Sequence, residues 1–162
     1  MSNEEERFFK NLMILLSAVS HTVKILNLNK INTQNITPDT IELLKMFVQG
    51  YDKIKIIETF IKKTNKYWDK ILIRDENFFI DNSESIFPKI GDYDITILKT
   101  VFDSKNNDGE YIINKNIKSQ IFEIVAAMVK ICIKYIHYRD INKKFANIDN
   151  KKHASNWKIQ LD

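Results

Sequence analysis

The run NIKSQIFEIVAAMVKICIKYIHY, residues 116–138, limits the fold more than any other part of the chain. Wound as a helix, it sets Ile117, Ile121, Ile124, Val125, Met128, Ile131, Cys132 and Ile136 on one face. Phe122, Val129 and Ile133 make a second apolar face, and only a narrow stripe through Glu123, Ala127, Lys130, Lys134 and His137 stays polar. A helix apolar nearly all round has to be packed on several sides at once. It becomes the centre of a bundle, with amphipathic helices laid around it. Its charges at Glu123, Lys130 and Lys134 argue against a membrane span.

The rest of the chain supplies those outer helices. With 3 Gly and 2 Pro in 162 residues there is little of the turn chemistry that sheets need. Residues 4–26 carry Phe9, Leu12, Leu16, Val19, Val23 and Leu26 at three-four spacing, with Glu4, Glu5 and Glu6 where the helix dipole favours negative charge. The Asn-rich stretch 27–36 reads as a linker. Thr37-Pro38-Asp39 is a helix start, with Thr as cap and Pro at the first helical position. From there Leu43, Phe47, Gly50, Ile54, Ile57, Ile61, Thr64, Trp68 and Ile71 keep one rhythm. That predicts either one long helix over 38–72 or two helices hinged at Gly50. Asp75 predicts a cap for a short helix over 76–81, with a further turn ending at Pro88. Residues 92–103 fit strand and helix periods alike and are assigned to helix; 104–110 read as a loop. The expected fold is all-α: a single-domain bundle of five to seven helices over 1–140, followed by a basic tail or final helix over 141–162.

Ile, Lys and Asn are over-used, and Arg7, Arg74 and Arg139 are the only arginines. All three favoured residues have A/T-rich codons. In this whole-chain composition the sequence resembles small α-helical proteins of large DNA viruses with AT-rich genomes, which implies action inside a host cell. A single cysteine, Cys132, forms no internal disulfide and fits a reducing, intracellular compartment. The apolar stretch 12–20 follows EEER, acidic where a signal peptide is basic, so the chain is not expected to be secreted.

Net charge is only +4, and five lysines against two aspartates place +3 of it within 141–162. That is mild for a duplex-DNA binder. The segment NKYWDKILIRDENFF, residues 65–79, is the place to look for a nucleic-acid surface. On a continuous helix Lys63, Lys66, Lys70 and Arg74 gather opposite Trp68, Ile71, Leu72, Phe78 and Phe79. A stacking platform needs aromatics and cations on one surface. Segregation instead predicts core plus solvated face, with Tyr67 at the border. Phe145 and Trp157 in the tail are expected to fold back into the core; the alternative makes them anchors for a partner, with Lys151 and Lys152 adding phosphate attraction.

Catalytic patterns are missing. There is no Gly-rich phosphate loop, no nucleophile elbow and no metalloprotease helix. His21, His137 and His153 lack metal-ligand spacing, and Cys132 sits on the apolar helix. Ser104, Asn106, Asp108 and Gly109 imitate the first half of a calcium loop, but Lys115 stands where the bidentate glutamate belongs. The sequence therefore predicts no catalytic, cofactor or metal residues. It points to a non-enzymatic interaction or assembly protein with a protein partner or a second copy of itself. The alternative is an accessory nucleic-acid binder using Lys63, Lys66, Lys70, Arg74, Lys151 and Lys152.

Overall fold

In the computed structural model, which describes residues 3–31, 33, 36–82 and 103–162, each helix of six or more residues begins on a short polar side chain. Asn3 accepts from Glu6 N–H at 2.9 Å and opens α1 (Glu4–Leu28). Thr37 and Thr40 close a reciprocal capping box at the start of α2 (Pro38–Gln49), with Pro38 at the first position as its fixed φ favours. Asp52 caps α3 (Lys53–Thr64), and a 3-10 turn, Asn65–Tyr67, leads into α4 (Trp68–Leu72). Asp75 caps α5 (Glu76–Asp81) through Phe78 N–H at 3.0 Å, the role its position predicts. Asn114 caps α6 (Lys115–Arg139), and Asp149 caps α7 (Asn150–Asn156). No strand occurs among the described residues. The loop before α6 closes on a single Lys105–Tyr111 bridge, with Asn106 Oδ1 accepting from Asp108 and Glu110 N–H. The expected turn ending at Pro88 lies outside the described residues, as does the helix expected over 92–103 except for Asp103, which is helical.

The all-α expectation holds, and α6 is the central helix. Ile121, Val125, Val129, Cys132 and Ile133 on it are wholly buried. It packs most extensively on α1, and also on α4 and α7. Glu5 meets Arg139 at 3.2 Å, so the amino end of α1 lies against the carboxyl end of α6 and the two helices run antiparallel. That leaves His21 and His137 towards opposite ends of the pair, and both are exposed.

Two apolar registers differ from the sequence reading. On α1 the buried stripe starts at Phe8, not Phe9, because Phe8 packs on Phe60 of α3 at 5.1 Å. The chain does break at Gly50, and the expected rhythm is buried only from Ile57 onward, through Ile61, Thr64, Trp68 and Ile71. On α2 the core side is Ile41, Leu44 and Val48, opposite the predicted Leu43 and Phe47. A 12-residue helix with two apolar stripes, packed on α1, buries one stripe and leaves the other outside. By length and composition α1 also qualifies as a candidate membrane span, which the sequence reading did not weigh. Here its Leu12, Leu16, Val19, Val23 and Leu26 lie buried.

Candidate functional site

The feature left over after the core is built is the outer stripe of α2 and the start of α3. Leu43 is 54% exposed, Met46 67%, Phe47 41%, Tyr51 49% and Ile54 45%. Leu43, Met46, Phe47 and Gly50 fall at i, i+3, i+4 and i+7, one face of the helix, on the side away from Ile41, Leu44 and Val48. Phe47 and Tyr51 stack as a tilted pair with ring centroids 4.9 Å apart, which carries the surface round the elbow into α3. Gly50 adds no side chain; a Cβ there would stand 3.5 Å from the Phe47 carbonyl oxygen. Acidic groups flank the face at its amino end, Asp39 and Glu42, with Glu42 held by Lys45 at 3.1 Å. Basic groups follow the other end, beside the capping Asp52: Lys55, and Lys53, whose ammonium lies 5.1 Å from the Phe9 ring centre of α1. Single exposed apolar residues are ordinary; five within 43–54 are a surface.

The tail residues lie elsewhere. Phe145 and Trp157 are buried, so the fold-back expected of 141–162 is present and neither ring is open to a partner. The reason is that α7 roofs α4: His153 packs edge-on against Trp68 at 5.0 Å and lies 3.9 Å from Asp69. Asn150 donates to the Ile133 carbonyl at 3.0 Å, and Lys144 reaches Glu58 at 3.1 Å. The tail is part of the same body as α1–α6.

The basic stripe predicted along one helix is interrupted. The 3-10 turn at 65–67 and the left-handed backbone at Arg74 (φ 54°) break the run, so the four cations do not share one helical face. Lys70 lies 3.9 Å from Asp75, and Arg74 pairs with Glu123 on α6. Lys63, Lys66, Lys151 and Lys152 are exposed and form no ion pair among the described residues. Tyr67 is half-buried against Phe78 at 5.3 Å, and Lys66 stands over its ring at 5.0 Å. Aromatic and cationic groups thus meet here more closely than the sequence reading allowed. The ammonium takes the ring face that a base would stack upon.

One further cluster escaped sequence reasoning. Tyr135 is buried among Glu5, Glu58, Asp140 and Arg139, where α1, α3 and α6 converge with the tail. Burial first, and then the carboxylates of Glu58, Glu5 and Asp140, push its phenol up to about 12, against a smaller opposing pull from Arg139. A phenol so raised stays protonated and serves as a fixed neutral group, not as a base. Glu5 and Glu58 come from segments far from Tyr135 in sequence, which no local spacing announces. Burial likewise drives the Cys132 thiol well above its ordinary range, the opposite of what a nucleophile needs. No group of three or more His, Cys, Asp or Glu suited to a metal occurs among the described residues.

No family model, curated protein or solved structure matches the chain.

Proposed function

We propose that this chain is a non-enzymatic interaction or assembly protein whose contact surface is the outer face of α2 with the first turn of α3. The observation that carries this reading is the exposure of Leu43, Met46, Phe47, Tyr51 and Ile54 together on one elbow. Apolar side chains grouped in this way leave a standing gain for any surface that removes them from water. The composition supports an origin in a large DNA virus with an AT-rich genome. The lone buried thiol supports work in a reducing compartment of the host cell. The buried stripe of α1 supports its reading as a core helix, without a membrane span.

The test is a pull-down from host lysate, with nuclease, using the parent chain and a Met46→Glu/Phe47→Glu variant. A partner, foreign or a second copy, held by the parent and lost by the variant is the expected result. Equal recovery by both removes this face from the function.

A second reading, contact with nucleic acid, is favoured by Lys63, Lys66, Lys151 and Lys152, whose charges stay exposed and unneutralised by any described acid. It requires affinity for DNA or RNA that falls steeply with salt and is lost on changing all four to Glu.

A further inference from the structure

We infer that the occupant of the α2–α3 face is a second copy of this chain, paired antiparallel about a two-fold axis passing near Met46 and Phe47. The inference rests on the proposed role of that face and names what covers it.

Charge is the first argument. Along the face the sign reverses: Asp39 and Glu42 stand before Leu43, while Lys53 and Lys55 stand beyond Tyr51. The internal counter-charges, Lys45 at one end and Asp52 at the other, reduce each end to a single net charge without changing its sign. Turned end for end on itself, the face sets its acidic end against the copy's basic end. A parallel pairing sets like against like. Antiparallel pairing also opposes the two α2 dipoles. A two-fold contact uses the same patch twice, so a patch of opposite-signed ends is complementary to itself. A foreign acidic or basic partner would match only half of it.

Size and shape agree. Five large side chains, each about half exposed, present apolar area on the order of 500 Å². The flanking Asp39, Glu42, Gln49, Lys53 and Lys55 add a polar rim, which brings each copy towards the roughly 800 Å² that a standard interface buries per partner. Gly50, on the same stripe, adds no side chain, so the two backbones can approach there. Met46, the most exposed of the five and the most adaptable in shape, lies at the middle of the stripe.

The experiment is light scattering of the full chain over a hundredfold range of concentration. The expected mass rises from 19.2 kDa to twice that value. Met46→Glu/Phe47→Glu stays at the lower mass, with unchanged helical circular dichroism because both side chains point outward. Asp39→Lys/Glu42→Lys weakens pairing about tenfold, and adding Lys53→Glu/Lys55→Glu to it restores most of the loss. Met46→Cys gives a symmetric disulfide on mild oxidation, with Cys132 buried and silent. A chain that stays monomeric throughout overturns the inference, as does a dimer indifferent to the charge swap. A monomer that still captures a foreign protein through this face overturns self-pairing while leaving the proposed function standing. A monomer with no face-dependent partner overturns both.

Discussion

Trp68 shows how one side chain ties the body together. It is fully buried, its indole N–H donates to the Thr64 hydroxyl at 3.0 Å, and His153 from α7 covers it. Trp68→Ala is expected to cost about 3–5 kcal/mol in urea unfolding, the usual range for emptying such a site. Phe47→Ala, on the outer face, is expected to move the same midpoint by under about 0.5 kcal/mol. The core position of Trp68 was legible from its spacing with Ile61 and Ile71. The outward facing of Phe47 was not, because α2 carries two apolar stripes and the sequence does not say which one α1 covers. Tyr135 supplies a pH test. Below about pH 10 its phenol is neutral in both the folded and unfolded chain. Between 10 and about 12 the unfolded chain releases the proton and the folded chain keeps it. Stability from this group is therefore present below pH 10 and is lost as pH rises through 12. Urea midpoints measured across that window are expected to fall less steeply for Tyr135→Phe.

The helix ends explain another part of what the sequence hid. After α1, α4 and α7 the chain turns through Lys30, Arg74 and Lys158, all at positive φ between 54° and 58°, where glycine is the usual choice. Paired bonds close each stop: Ile31 N–H to Leu26 C=O, Asp75 to Lys70, and Ile159 to Ala154, with a shorter bond nested inside. Only 3 glycines exist in the chain, so the customary stop signal was missing at these sites. Ile31 and Ile159 then pack against the core and fix the exit. Lys30→Gly is expected to raise stability by roughly 0.5–1 kcal/mol in thermal unfolding, since a left-handed L-residue is strained by about 1 kcal/mol or more. The starts of helices, in contrast, were readable: Thr37-Pro38 and Asp75 cap where short polar side chains precede apolar runs.

At the scale of the molecule, residues 141–162 complete the body. Phe145, Ala154 and Trp157 are buried, and Lys144 reaches across to Glu58. In α7 and at its end, Asn150 Oδ1, His153 Nδ1 and Trp157 Nε1 are buried without a hydrogen-bond partner among the described residues. A buried polar atom left without any partner, protein or water, costs on the order of 1–3 kcal/mol. Hydrogen exchange is expected to find α7 opening before α6. Deleting 141–162 is expected to uncover Trp68 and broaden or abolish cooperative unfolding, followed by near-ultraviolet circular dichroism. The central place of α6 and the all-helical class could be read from patterning alone. The closing contacts could not, since Glu5 meets Arg139 across 134 residues and Glu58 meets Lys144 across 86. The roof over Trp68 has a consequence for synthesis. A ribosome delivers α1 to α4 long before α7 exists, so the nascent chain holds an unsheltered indole until translation has passed His153. A chain stopped before that codon therefore keeps the Trp68 indole uncovered, the kind of exposed apolar surface that favours aggregation.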